Sequence, residues 1–205
     1  KLAYRSLSTL SLDGKILDIG GGKDASYHAL IGGRHSFTTL NISADTKPDI
    51  VFDVESGLFP IGDREYDAAL LINILEHVYD TKHILRESHR VLQEGGELVI
   101  VVPFLLYVHP SPYDFGRYTK QALERMVAEA GFTEVRIEEV GAGAWSAAYN
   151  LLHRFFPWPL TILLEALAVF FLQFLKFIHD HIQPDEVGHG QRPNPFAAVR
   201  HARSG

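Results

Sequence analysis

Two stretches of this chain concentrate residue types that can do chemistry. The first is Asp18-Ile-Gly-Gly-Gly22, which closes the apolar run Lys15–Gly20. Glycines let a ligand lie against bare backbone, and a helix read over Asp24–Ile31 would present unpaired N–H groups at its start. Such a turn suits a nucleotide-bearing ligand. The second is the proline-rich loop Val102–Thr119, which carries His109, Tyr113, Asp114, Arg117 and Tyr118. Imidazole titrates near working pH, so His109 is the candidate proton acceptor, and Asp114 either orients it or serves in its place. Read structurally, the same loop is a lid stiffened by Pro110 and Pro112, with Arg117 paired to Asp114 and Tyr118 packed into the core. His77, after Glu76 at a helix start, either lies near the ligand or only caps and packs. His83 and His89 read as a solvated helix face with Glu87. His179, His181, Asp185 and His189 match no metal-ligand spacing, and no metal site is expected.

The elements that must position these residues alternate along the chain. Near-continuous apolar runs at Lys15–Ile19, Ser36–Leu40, Ile50–Val54, Ala68–Ile72, Glu97–Val102 and Glu134–Val140 read as strands buried on both faces. Helices are expected at Asp24–Ile31, Thr81–Leu92 and Lys120–Ala130, the last capped by Thr119 and stopped by Gly131. Strand–helix alternation predicts an α/β, doubly wound, Rossmann-like sheet in a single domain over residues 1–205. Phe196–Ala202 reads as a final strand of that sheet.

Bulk properties narrow the function. A net charge of −6 argues against a broad nucleic-acid-binding face. With no cysteine there is no disulfide, thiolate zinc site or cysteine nucleophile. That fits a reducing compartment, and no signal peptide is visible, so the expected location is cytoplasmic. Leu160–Ile178 has the length of a membrane span. As a helix, however, it carries a polar stripe of Thr161, Glu165, Gln173 and Lys176, and the strand after it returns to the same sheet. An interfacial helix at a membrane, a homodimer surface through residues 155–182, or a cover over the active site are the open readings.

The ordered motifs resemble class I S-adenosylmethionine-dependent methyltransferases, type 11 branch. They are Ile16–Gly22, Pro48–Asp53, Tyr66–Val78, Arg90–Leu98 and Ala130-Gly-Phe132. The resemblance implies a seven-stranded sheet with a reversed last strand, and makes residues 142–195 an apolar helical insertion before it. It implies S-adenosylmethionine as cofactor, with Asp18, Gly20 and Gly22 lining its methionine and ribose, Asp53 and Val54 reading the adenine, and Asn73 touching the methionyl end through its backbone. The family places an acidic residue at the end of the second strand to grip both ribose hydroxyls; here that residue is Asn41, which implies binding weaker by about 1 kcal/mol. Asp45 stands nearby to compensate.

Transfer of a methyl from a sulfonium mainly requires alignment of donor and acceptor. Tyr107, Tyr113 and Tyr118 would pack against the sulfonium, and Tyr113, Arg117 and Tyr118 would contact the acceptor. Trp145, Phe155, Phe156 and Trp158 make the surroundings apolar, so the acceptor is read as a small or lipid-like molecule. Two alternatives stand beside this reading. One is a non-catalytic methyltransferase-fold scaffold. The other is an NAD(P)-binding oxidoreductase, formally allowed by Gly20–Ala25 as G-x-G-x-x-A but left with little chain for a substrate domain.

Overall fold

A computed structural model describes residues 2–140, 167 and 196–204. Its strands are β1 Gly14–Ile19, β2 His35–Asn41, β3 Ile50–Val51, β4 Tyr66–Ile72, β5 Leu92–Pro103, β6 Phe132–Val140 and β7 Phe196–Ser204. Its helices are α1 Leu2–Leu7, α2 Thr81–Val91 and α3 Lys120–Glu129. The strands form one sheet in the order β3-β2-β1-β4-β5-β7-β6. The pairs β1–β2, β1–β4, β2–β3 and β4–β5 are parallel, and β7 runs antiparallel to β5 and to β6. This is the α/β Rossmann-like sheet expected from the alternation of runs.

The central parallel strands β1, β4 and β5 are apolar on both faces because each face is covered. Leu17, Ile19, Ala69, Leu71, Leu98 and Ile100 pack with Ile84, Leu85 and Val91 of α2 and Leu123 and Val127 of α3. Ile16, Leu70, Ile72, Val99 and Val101 point the other way, onto Leu7 of α1, Tyr27 and Ile31. α2 and α3 are each started by a side chain that satisfies an orphan N–H: Asp80 accepts from His83 N at 3.0 Å and Thr119 from Ala122 N at 3.2 Å.

The expected helix over 24–31 is not formed; the segment has turns and a single 3-10 turn at His28–Leu30. Two constraints prevent a helix. Tyr27 and His28 are both drawn down to the carboxylate of Asp18. The far end is tied back beside residues 10–12, with Gly32 N donating to Leu10 O and Leu12 N to Gly32 O, each at 2.9 Å. The third strand is also shorter than the expected Ile50–Val54. After Phe52 N donates to Asn41 O, the Asp53 carboxylate accepts from Glu55 N and turns the chain away. No helix among the described residues is long and apolar enough to cross a membrane. Leu167 apart, the insertion 142–195 lies outside the described residues, and with it the apolar helix expected over 160–178 and the cluster His179, His181, Asp185 and His189.

One ion pair ties α2 to the loop before β4. Glu87, 4% exposed, accepts from Phe59 N at 2.8 Å and from Arg90 Nε and Nη2 at 2.9 and 2.7 Å. Arg90 also donates to the carbonyls of Ile61 and Phe59 and to Asp63. Burial opposes the charge on Glu87, but these donors outweigh it and hold the carboxyl below its usual range. Arg90→Ala would strand the buried carboxylate and should cost about 3–5 kcal/mol in urea denaturation, whereas a double change of Arg90 and Glu87 to apolar residues should cost less.

Candidate functional site

The strand order reverses between β1 and β4, since β1 pairs with β2 on one side and β4 on the other. In an open parallel sheet, the crevice beyond the carboxyl ends at such a point is where ligands bind. The glycine turn leaves β1 there, and Asn73–His77 leaves β4.

Asp18 lies at the carboxyl end of β1 with no exposed surface. Its Oδ2 accepts from Tyr27 Oη at 2.7 Å and meets His28 Nε2 at 2.6 Å. Among the described residues, its Oδ1 has no hydrogen-bond partner. The glycines that follow are required by close approach. A Cβ on Gly20 (φ +89°) would lie 2.8 Å from Ile74, one on Gly21 would collide with the Asp18 carboxylate, and one on Gly22 would lie 2.8 Å from Thr46 O. A buried carboxylate oxygen without a donor, set against backbone that no side chain can cover, fits an ammonium-bearing ligand. Burial and then the adjacent Asp18 charge push the Tyr27 phenol up, so it remains a donor to that carboxylate.

Asn41 has a different occupation from the ribose grip expected of it. Its Nδ2 donates to Gly20 O at 2.5 Å and Gly21 O at 3.2 Å, and its Oδ1 accepts from Ser43 N at 2.9 Å. Both amide hydrogens thus hold the glycine turn, a task no carboxylate can perform. Asp53 is exposed, beside the buried Val54, just past β3. Asn73 takes a left-handed conformation (φ 52°) with its N donating to Val101 O at 2.8 Å, turning the chain out of β4.

The loop after β5 docks on the turn after β4. Phe115 N and Gly116 N both donate to Glu76 O, and Tyr118 Oη donates to Leu75 O at 3.1 Å. Within the loop, Asp114 accepts from His109 N at 2.8 Å and forms a two-armed pair with Arg117, whose Nη2 also donates to Tyr107 O. Arg117 holds the Asp114 carboxyl well below the usual range. Asp114 and Arg117 therefore shape the loop, and Asp114 stands 3.4 Å from His109 Nδ1 in an orienting place. Tyr113 is exposed and packs near Phe115, while Tyr118 is anchored to the turn.

This docking brings together residues that sequence reasoning treated separately. Glu76 has no exposed surface, and among the described residues neither of its carboxylate oxygens has a hydrogen-bond partner. Burial pushes its carboxyl up to about 7. His77 Nε2 lies 3.8 Å and His109 Nε2 4.0 Å from Glu76 Oε1. The signal available in the sequence was Glu76-His77 at a strand end; His109 joins only through the loop docking.

Residues 17–100 match a family model described as a methyltransferase domain. No curated protein matches the chain. A Thermotoga maritima structure described as a SAM-dependent methyltransferase, possible histamine N-methyltransferase, superposes with a TM-score of 0.61 at 16% identity, covering 98% of this chain and 87% of that one. Haemonchus contortus phosphoethanolamine N-methyltransferase 2, in complex with S-adenosyl-L-methionine, gives 0.59 at 13% identity, covering 98% of this chain. The chain spans about half (51%) of that enzyme's length. The [4+2]-cyclase SpnF gives 0.57 at 18% identity, covering 98% and 79% of the two chains. The resemblance to S-adenosylmethionine-dependent methyltransferases holds: their domain model matches the segment that builds the glycine turn, and their sheet is this sheet.

Because Asn41 holds the turn by donation, Asn41→Asp should lower stability by about 1–3 kcal/mol and weaken ligand binding at the turn, although it introduces the acidic residue usual in the family. Thermal denaturation with and without ligand checks both.

Proposed function

We propose that this chain, whose residues 17–100 match a methyltransferase domain, is an S-adenosylmethionine-dependent methyltransferase acting on a small-molecule or lipid-like acceptor. The observation that carries the reading is that Asp18 Oδ1, against the glycine turn at the sheet's switch point, has no hydrogen-bond partner among the described residues. Asp18 would accept from the ammonium of the methionyl end, with Gly20 and Gly22 leaving room for it. Asn73 would meet the same end through its backbone. Asp53 would accept from the adenine amine with Val54 against the ring. Asn41 keeps one lone pair of Oδ1 for a ribose hydroxyl, consistent with a grip weaker by about 1 kcal/mol.

When bound, the cofactor supplies a methyl already activated on sulfur. What remains for the chain is to align the acceptor and take its proton. His109 Nδ1 lies 3.1 Å from Tyr107 O, which can only accept, and Arg117 Nη2, 3.5 Å from the same Nδ1, has nearer acceptors in Asp114 Oδ2 at 2.8 Å and Tyr107 O at 3.1 Å; assigning the proton to Nδ1 on these contacts leaves Nε2 a lone pair. Nε2 of His109 is the atom to receive a proton from a hydroxyl or amine acceptor, with Asp114 keeping the ring in place. Tyr113 and Arg117 lie in the same loop and would contact the acceptor.

A non-catalytic scaffold is the second reading, favoured by Asn41 in place of an acidic residue. Titration calorimetry separates them. Wild type should bind S-adenosylmethionine and S-adenosylhomocysteine with a Kd on the order of micromolar, and Asp53→Ala should weaken both about tenfold. Absence of heat with wild type would support the scaffold. The lipid-like acceptor has its own test: liposome binding should fall on deletion of residues 155–182, and equal binding by the shortened protein would point to a soluble acceptor and leave that segment as a dimer surface.

A further inference from the structure

We propose that Glu76, His77 and His109 bind a divalent first-row transition cation. One ligand atom from each lies within 4.8 Å of the others. The chemical argument rests on which atoms face each other. His77 Nδ1 lies 2.6 Å from Tyr113 O. A carbonyl only accepts, so Nδ1 holds the ring proton and Nε2 is a bare lone pair. His109 has the same arrangement, with Nδ1 3.1 Å from Tyr107 O. Both Nε2 atoms are the ones that approach Glu76 Oε1, at 3.8 and 4.0 Å. Two imidazole nitrogens and a carboxylate oxygen therefore converge at separations too long for direct hydrogen bonds, and a cation bound there would take the place of the proton that burial favours on Glu76.

The separations suit a shared cation instead. Ligand atoms about 2.1 Å from a tetrahedral metal stand about 3.4 Å from one another, so the two distances to Glu76 Oε1 would shorten by roughly half an ångström and the imidazole pair, within 4.8 Å, by up to about 1.4 Å. Two imidazoles and one carboxylate are a donor set for zinc, iron or manganese rather than for magnesium or calcium, which prefer oxygen alone. The outer partners are also those of a metal site: each imidazole donates its other N–H to a backbone carbonyl, which fixes tautomer and ring direction. Glu76 is fully buried, and among the described residues its carboxylate has no donor of its own. A cation would supply the compensation that a buried carboxylate needs. The His109 side chain is 29% exposed, so the cluster opens to solvent on that side and a ligand has a way in.

Cation binding and proton acceptance draw on the same lone pair of His109 Nε2, so the two exclude each other at that atom. With a cation bound, the acceptor's oxygen or nitrogen would be polarised by the cation and its proton would pass to solvent on the open side of the cluster. The test uses the full chain, stripped with a chelator and titrated calorimetrically with Zn2+ and then Mn2+ alone, with Co2+ absorption as a spectroscopic check. Wild type should bind one equivalent and gain thermal stability. His109→Ala, at a partly exposed loop position, and Glu76→Gln, which keeps the side chain's shape, should each bind at least tenfold more weakly. No binding to wild type, or equal binding by wild type and a folded His109→Ala, would overturn the proposal; the latter would assign the metal to other histidines. S-adenosylmethionine titration of the same stripped protein keeps a failure here distinct from a failure of the methyltransferase reading.

Discussion

A carboxylate taken out of water must find donors or a cation, and two carboxylates, Asp18 and Glu76, lie fully buried at the carboxyl edge of this sheet. Much of the local structure follows from how each is served. Asp18 draws in Tyr27 and His28, and so replaces a helix with a tight turned segment. Glu76 is approached instead by Nε2 of His77 and Nε2 of His109, at 3.8 and 4.0 Å, too far for hydrogen bonds. Each acid keeps acceptor capacity that no described residue fills. The two are joined in the chain's packing by Ile74, against which Gly20 closes.

The edge is assembled by backbone as much as by side chains. Parallel strands end with carbonyls and amides that need partners beyond the ladder. Asn73 N finds Val101 O, Leu75 O takes the Tyr118 hydroxyl, and Glu76 O takes the amides of Phe115 and Gly116. These bonds fix the loop after β5 on the turn after β4, and only through them does His109 reach Glu76. The Asp114–Arg117 pair holds the loop's own shape, with Arg117 reaching back to the carbonyl of Tyr107. Residues that look catalytic by type thus divide in two. Asp114 and Arg117 are paired with each other, while Glu76, His77 and His109 converge without a hydrogen bond among them.

The sheet was legible in the sequence because burial on both faces leaves long apolar runs such as Ala68–Ile72 and Leu98–Val102, and strand–helix alternation restricts how they can pair. The first helix was not legible. Asp24–Leu30 has helical composition, but its fate is set by Asp18, a contact across the turn that local propensity does not register. That the glycines form a tight turn at the end of β1 could be read from residue type and order alone; the ligand they would cradle belongs to the proposed function. The Glu76–His77–His109 grouping could not, because a separation of more than thirty residues between His77 and His109 is closed by loop docking and no spacing rule anticipates it.

Asn41 shows why residue type at a family position does not settle its role. An acidic residue at the end of the second strand can only accept, which suits a pair of sugar hydroxyls and leaves the preceding glycine carbonyls to other partners. An amide at the same place donates as well. Here both hydrogens go to Gly20 O and Gly21 O, and the oxygen takes Ser43 N. For the proposed cofactor, the exchange would trade a charged grip for a stiffer turn beneath it. A turn already held in its ligand-ready form loses less freedom on binding, which offsets part of the weaker contact. The same substitution that looks like decay of a binding site is therefore compatible with a working one, provided the turn and Asp18 carry the ligand.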